Sequence, residues 1–128
     1  MSNGYSIPIG TECKFLIPRL RDARLSAAEP HVTWDWSWLE GELWERFGIV
    51  RWSGAPEIAR WPDKNRRPIC DRSKVYTIAV PDEKIDELRV LLMEACVRFY
   101  QECIYLRVGE RAELVYPPPG TWPQLTSQ

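Results

Sequence analysis

A four-residue spacing of apolar side chains predicts the first helix of the chain. Leu39, Leu43 and Phe47 recur at this spacing, Ser37-x-x-Glu40 has the pattern of a capping box, and a glycine follows at position 48 as a natural stop. Gly41 interrupts the helix at a cost of about 1 kcal/mol relative to alanine, and we expect it to allow a close approach to a sheet. One apolar stripe of this helix must therefore be buried.

A second helix is expected over residues 83–100, where apolar side chains follow a 3.6-residue period and Asp82 stands at the capping position. Short runs rich in β-branched and aromatic residues predict strands, and Gly109-Glu110 suits a tight hairpin between the last two. The expected strands are residues 13–17, 49–52, 74–80, 103–108 and 112–116.

The order of these elements predicts a single α+β domain. It is β-α-β-β-α-β with an extra C-terminal edge strand, which is typical of a ferredoxin-like antiparallel sheet with two helices on one face. We expect an N-terminal arm over residues 1–11, a core over 12–116 and a Pro-rich tail over 117–128, either disordered or anchored across the body by Trp122. Residues 53–73 are expected to form two ragged hairpin arms, with Trp61 on one, Ile69 on the other and a turn at 62–65.

If the helices cover one face of the sheet, the alternation of side chains assigns the other. We expect three sets to face the helices: Cys13, Phe15 and Ile17; Tyr76, Ile78 and Val80; and Ile104, Leu106 and Val108. The opposite, open face then carries Lys14, Leu16, Val75, Thr77, Ala79, Cys103, Tyr105 and Arg107. A semi-apolar face of this kind is rarely left in water. A second subunit, a small-molecule ligand, or the 53–73 segment with the tail would cover it, and the first of these predicts a homodimer.

Composition changes this picture mainly by exclusion. The chain has 128 residues, with Lys+Arg 17 against Asp+Glu 18, so the near-zero charge gives no support for nucleic acid as a partner. No apolar run reaches the roughly 18 residues that span a bilayer, and the first residues do not have the pattern of a secretory signal. The four cysteines match no common zinc spacing, so we expect reduced thiols, a cytoplasmic location, no metal site and no cofactor.

Seven tryptophans are unusual in a chain of this length. Trp34, Trp36 and Trp38 alternate, which places them on one side only if this segment is extended rather than helical. Most are expected to pack against the sheet, while Trp34, Trp38 and Trp61 are candidates for a subunit or ligand contact. Arginines also lie near Trp61, at positions 60, 66, 67 and 72. Together with that ring they leave open a weaker nucleic-acid interpretation, against that of a solvated hairpin tip.

No nucleotide, esterase or zincin motif occurs in the sequence. Glu12 and Glu102 each stand just before an expected strand, and neighbouring strands would bring them to one sheet end as an acid/base pair. A weaker alternative pairs His31, the single histidine, with Cys103. The leading interpretation is a homo-oligomeric interaction or small-ligand-binding module that uses the open face. The alternative is a small enzyme with a glutamate acid/base site at the sheet end or subunit seam.

A resemblance rests on Arg46-Phe47-Gly48, Trp61, Asp71-x-Ser73-x-x-Tyr76-Thr77-Ile78 and Phe99-Tyr100-Gln101-Glu102-Cys103. In this order the chain resembles small uncharacterised bacterial proteins of domain-of-unknown-function families, over residues 12–108. Tyr100 stands where that pattern has glycine, and the last hairpin and the Pro-rich tail are additions. The resemblance implies a ferredoxin-like fold and marks Gln101 and Glu102 as positions of interest, but it implies no activity.

Overall fold

The computed structural model describes residues 3–22, 25–27, 29–48, 50–52, 57–62 and 68–122. Its strands are β1 (Thr11–Pro18), β2 (Val50–Trp52), β3 (Glu57–Pro62), β4 (Pro68–Val80), β5 (Ile104–Val108) and β6 (Arg111–Val115). Its helices are α1 (Thr33–Phe47) and α2 (Ile85–Arg98), the second preceded by a short 3-10 turn, Asp82–Lys84. Neither helix combines the length and the apolar character that crossing a bilayer requires, within these described ranges.

The strands form one antiparallel sheet in the order β2-β4-β1-β5-β6, with β3 paired to the first part of β4. The α+β class is therefore confirmed, and the arrangement is consistent with a small ferredoxin-like fold. The expected edge strand is present, because β6 pairs with β5 across a turn in which Gly109 has φ +58°. The two expected hairpin arms are also paired, with Trp61 opposite Ile69. The turn expected between them, like Arg66 and Arg67, falls largely outside the described residues.

The hydrophobic core lies between the helices and one face of the sheet. The inward sets expected on β1, β4 and β5 are buried, except that Val108 is partly buried and packed against the core. Both helices contribute to the same cluster, through Leu39 and Leu43 on α1 and through Leu88, Leu91, Leu92, Ala95 and Cys96 on α2. Because the sets alternate along each strand, both helices pack on one side of the sheet.

The expected start of the first helix is wrong. The helix begins at Thr33, so Trp34, Trp36 and Trp38 lie on its surface instead of in an extended segment, and Trp36 points away from the side that Trp34 and Trp38 share. Ser37-x-x-Glu40 is not a capping box, since these residues lie inside the helix and no side chain caps its N-terminus. The period of 3.6 residues continues back to Asp35, which is buried, and this extends the packed stripe by one turn.

Two smaller expectations are also corrected. Gly41 does not approach the sheet, because it is exposed and a Cβ atom placed there would meet nothing within 4 Å. Asp82 does not cap α2 through its side chain; it instead accepts a hydrogen bond of 2.8 Å from the Thr11 hydroxyl. That bond joins the start of β1 to the turn after β4.

The segment after β1 is attached to the body by buried polar and aromatic groups. The His31 Nε2 atom lies 2.7 Å from the Pro18 carbonyl oxygen, and its ring packs edge-on against Trp36 and Phe99. Gln101 is buried, and its amide donates to the carbonyl oxygens of Leu20 and Phe99 at 2.9 and 3.0 Å. This gives Gln101 a structural role at the position that the resemblance marked.

Tyr100 adopts φ +50°, a left-handed conformation that glycine takes at less cost. The tyrosine ring has contacts of its own: the Arg21 guanidinium lies 4.4 Å from its centroid, and Trp122 stacks on it at 6.1 Å. The tail therefore lies across the body as far as Trp122, as the anchored alternative expects, and residues 123–128 are outside the described part.

Candidate functional site

The open face is built from alternate residues of β1, β4 and β5, arranged in four cross-strand rungs. In order along β1, the rungs are Glu12–Ala79, Lys14–Thr77–Arg107, Leu16–Val75–Tyr105 and Pro18–Ser73. Neighbours within a rung have Cα atoms about 5 Å apart, and successive rungs on one face are about 7 Å apart. The register therefore places an anion, two cations and an apolar patch in sequence along one face.

The second rung concentrates positive charge. Lys14 lies directly opposite Arg107 on one side and Thr77 on the other, and all three side chains are half-buried. Two neighbouring cations beside a hydroxyl donor form a surface that favours a carboxylate or another small anion. Four of the predicted ligand-binding residues, these three and Tyr105, are thus brought together by the register.

Two polar atoms on this face lack a hydrogen-bond partner in the described structure. They are Nε of Arg107 and Oγ of Ser73, and Ser73 is fully buried. An unsatisfied buried donor costs about 1–3 kcal/mol, and native structures leave few of them. An acceptor supplied by a bound molecule would offset the cost at Arg107, which is the stronger donor of the two.

The third rung is less exposed than an uncovered face would be. Leu16 and Val75 are 5% and 7% exposed, although neither belongs to the core under the helices. Tyr105 completes this rung with a half-buried ring. Because Leu16 and Val75 are already shielded from water in a single chain, a second subunit is not needed to cover them.

The two glutamates expected to act as a pair are not brought together within one chain. Glu12 lies on the open face next to the cationic rung, at the level of Gly109, whose N–H donates to the Glu12 carbonyl oxygen. Glu102 precedes the opposite end of β5, which runs antiparallel to β1. The strand between these levels is on the order of 20 Å long, far beyond the separation at which two carboxylates act on one bond. Contact across a subunit seam stays a prediction.

Neither ring nitrogen of His31 is hydrogen-bonded to a described thiol, because Nε2 lies 2.7 Å from the Pro18 carbonyl oxygen and Nδ1 has no partner. Cys13, Cys96 and Cys103 carry no disulfide, and burial raises the pKa of Cys96 to about 12 and raises that of Cys13 as well. Cys103 is half-buried and precedes β5 at the Tyr105 end of the open face. Among the residues that the structure describes, no group of three His, Cys, Asp or Glu side chains is arranged to hold a metal ion.

Two of the predicted tryptophans, Trp34 and Trp38, lie on α1 and not on the open face. Trp34 is 73% exposed on α1, and Trp38 is half-buried on the same helix with the Arg98 guanidinium 4.3 Å from its ring centroid. Trp61 belongs to β3, and its side-chain environment is outside the described features. Trp34 and Trp38 are thus on a different surface from the predicted residues Lys14, Thr77, Tyr105 and Arg107 of the open face.

Two cavities lie near the end of the sheet rather than on the open face. One, of about 530 Å³, is lined mainly by charged residues of α2 and β6; the other, of about 470 Å³, lies between the N-terminal arm and the turn after β4. Arg89 in the first is already clamped by Glu113 and Asp86, both at 2.6 Å. Asp82 borders both and accepts from Thr11. We place the candidate site on the open face, where the Nε atom of Arg107 lacks a hydrogen-bond partner.

Sequence reasoning missed Ser73 as part of this face. It treats residues up to 73 as hairpin arms, whereas β4 runs from Pro68 and carries Ser73 in the same alternation as Val75 and Thr77. Asp71, Arg72 and Ser73 directly precede position 74, so the β-branched composition that signals a strand begins only after them. The unsatisfied Nε atom of Arg107 is a tertiary feature, because it depends on which neighbouring atoms come within hydrogen-bonding distance.

Comparison with known structures finds the same fold in a phage SAM lyase. Its complex with S-methyl-5'-thioadenosine has a TM-score of 0.63 and 9% sequence identity, covering 91% of this chain and 96% of that chain. Its apo state has a TM-score of 0.60 and 10% identity, covering 96% and 100%. No family model and no curated protein matches the sequence. At this level of identity the likeness concerns the fold alone.

Proposed function

We propose that this protein binds a small zwitterionic ligand of the S-adenosylmethionine (SAM) class on the open face of a ferredoxin-like sheet. The observation that carries the proposal is the Arg107 Nε donor, which lacks a partner and stands one strand away from Lys14. The phage SAM lyase of similar fold, whose complex holds S-methyl-5'-thioadenosine, supports this ligand class.

The order of the rungs fits such a ligand from end to end. SAM has a carboxylate, an ammonium group, a sulfonium and an adenine ring. Lys14 and Arg107 suit the carboxylate, while Glu12 on the adjacent rung suits the positive groups. The half-buried ring of Tyr105, on the rung next to Lys14 and Arg107, offers an aromatic surface on which the adenine can pack. S-methyl-5'-thioadenosine shares the nucleoside but lacks the carboxylate and the ammonium group.

Isothermal titration calorimetry with both ligands tests the proposal. We expect the wild-type protein to bind SAM, and Arg107→Met to raise its Kd about tenfold or more, because a hydrogen bond to a charged group contributes about 1.5–3 kcal/mol. The same substitution should change the Kd of S-methyl-5'-thioadenosine by less than about threefold, since that ligand lacks the carboxylate.

The matched control is Arg111→Met, which removes an exposed arginine from the neighbouring strand β6. Because β6 is antiparallel to β5 and Arg111 lies opposite Val108, this position is on the helix side of the sheet. Its Kd for SAM should equal that of the wild type. The open-face site is contradicted if neither SAM nor S-methyl-5'-thioadenosine gives a binding heat with the wild-type protein. It is also contradicted if Arg107→Met and Arg111→Met lose SAM affinity equally.

An enzymatic role is the second candidate, and the position of Glu12 on the open face favours it. In this case the bond between sulfur and the amino-acid side chain breaks with its electron pair on sulfur, releasing S-methyl-5'-thioadenosine. Glu12 takes a proton from Cβ, the carbon adjacent to the Cγ atom that loses sulfur, and the pair of that C–H bond forms the Cβ=Cγ double bond of 2-aminobut-3-enoate. Chromatographic detection of S-methyl-5'-thioadenosine after incubation with SAM tests turnover, and Glu12→Gln should lower the rate by about a hundredfold or more. An unchanged rate in that variant removes Glu12 from the reaction.

The remaining expectations stand as parts of this proposal. Cys103 and Thr77 border the ligand, the protein works in the cytoplasm, and the chemistry requires neither metal nor a second cofactor. Glu102, at the far end of β5, takes no part in the reaction within one chain. Nucleic acid is not a partner.

A further inference from the structure

The outer side of α1 carries an exposed stripe that the fold itself does not use. Trp34 and Trp44 are 73% and 65% exposed, and Ser37 and Gly41 lie between them, also exposed. At about 100° per residue these four positions share one side of the helix, opposite the buried Leu39. Two large rings thus flank a shallow saddle about 15 Å long.

This stripe is complementary to itself when reversed. The pair Trp34 and Trp44 and the pair Ser37 and Gly41 are both centred on position 39. Two copies of α1 packed antiparallel about that point therefore place Trp34 of each copy against Trp44 of the other. They also place Ser37 of each copy against Gly41 of the other. A two-fold interface requires such reciprocity, in which residue i contacts j and j contacts i.

The charges at the two ends of the stripe agree with the same pairing. Val32 occupies the N-cap position of α1, and no side chain caps the first turn. Glu45 is exposed, and in the antiparallel arrangement it lies opposite Thr33, at the uncapped N-terminus of the other copy. A carboxylate there interacts favourably with the partial positive charge of the helix end.

The saddle also accounts for Gly41, which no contact in the described part of the chain requires to be glycine. A Cβ atom at this position would meet nothing within 4 Å, so packing in the monomer does not require glycine. Glycine and serine at a helix crossing allow the two backbones to approach closely. The four tryptophan rings would bury about 150–250 Å² each, which is roughly half of what a standard interface of about 1,200–2,000 Å² needs.

We propose that two copies of this chain form a two-fold homodimer through antiparallel packing of their α1 helices, with Trp34 of each copy seated against Trp44 of the other. The interface lies on the side of the helix layer that faces away from the sheet. Both open faces remain accessible in this dimer, so the proposal does not depend on the ligand.

Sedimentation velocity between about 1 and 500 µM protein tests the proposal. We expect a monomer–dimer equilibrium for the wild type, and a dissociation constant about tenfold higher or more for Trp34→Glu and for Trp44→Lys. Each new charge suits its own end of the helix dipole, so both variants should fold. The double variant W34E/W44K places the new carboxylate of each copy against the new ammonium group of the other, and it should recover dimer relative to either single variant. Gly41→Ala should weaken the dimer by inserting two methyl groups at the crossing.

Val90→Lys is the control, because Val90 is 58% exposed on α2, away from the stripe, and its replacement should leave the dissociation constant unchanged. A wild-type monomer at the highest concentration overturns the proposal, whether solvent or some other partner occupies the stripe. So does a dimer or larger oligomer whose mass is unaffected by the tryptophan variants. If both single variants are monomeric and the double variant recovers nothing, the antiparallel pairing of Trp34 with Trp44 is overturned.

Discussion

A buried hydroxyl joined to a helix carboxylate gives a quantitative test of how this core is held together. Tyr76 is fully buried in β4, and its hydroxyl donates to Oε2 of Glu40 on α1 at 2.7 Å. The Lys74 ammonium donates to the same oxygen at 2.8 Å. Burial and the neighbouring carboxylate raise the pKa of Tyr76 far above its usual value, so the phenol stays protonated and remains a donor.

The two partners should not be equally costly to remove. Tyr76→Phe takes away the hydroxyl and leaves Glu40 paired with Lys74, so we expect a loss of about 1–2 kcal/mol in the free energy of unfolding. Glu40→Ala removes the Glu40 acceptor from the buried hydroxyl and also removes the Lys74 ion pair, so we expect a loss of about 2–3 kcal/mol in the free energy of unfolding. In the double variant nothing buried is left unpaired on Tyr76, and its loss should be about 1–2 kcal/mol smaller than the sum of the single losses.

Urea unfolding followed by far-UV circular dichroism measures these differences, with the slope m expected to stay constant. In thermal unfolding, a loss of about 1 kcal/mol corresponds to about 3–5 °C in Tm for a chain of this size. Tyr5→Phe removes a hydroxyl from a ring that is 86% exposed and should change stability by less than about 0.5 kcal/mol. Additive single losses, or a neutral Glu40→Ala, would refute the reasoning that the buried hydroxyl depends on this carboxylate.

Three further predictions concern the other charged and buried groups. Burial lowers the pKa of His31, so the unfolded chain binds a proton more readily than the folded chain near pH 6.5. The free energy of unfolding should therefore fall as the pH drops below that value, by at most about 1.4 kcal/mol per pH unit. Urea titrations at about pH 7.5 and 5.5 measure this loss, and the part due to His31 should be absent in His31→Phe. Arg89→Met should cost about 0.5–1 kcal/mol through its half-exposed pair with Glu113, and the loss should shrink in about 1 M NaCl, whereas a salt-independent loss would point to packing instead. Thiol labelling of the native protein, with peptides identified by mass spectrometry, should modify Cys103 well before Cys96. Burial raises the pKa of Cys96 to about 12 and shields its sulfur from the reagent. Equal labelling rates would contradict the burial of Cys96.

Local periodicity determined the parts of the fold that depend on one element at a time. Alternation along β1 and β5, together with the larger size of one of the two alternating sets on β4, assigned the buried side chains, because a one-residue error would move a whole strand's apolar side chains into water. The 3.6-residue period identified both helices for the same reason. Helix starts were predicted poorly, because Ser37 and Glu40 match a capping pattern while the structure leaves α1 uncapped. Packing of Asp35 and Trp36 against the body extends that helix, and such packing is a tertiary effect.

In the candidate site, too, local periodicity predicted some features and tertiary structure decided the others. Sequence alternation by itself placed Lys14, Thr77, Tyr105 and Arg107 on one face. The register between strands, which only the assembled sheet defines, decided that Lys14 and Arg107 share a rung and that Glu12 and Glu102 lie at opposite ends. Tertiary structure also decided which polar atoms are unsatisfied. The physical reason is that periodicity is a property of one strand or helix, whereas register, burial and hydrogen-bond partners are properties of segments far apart in the chain.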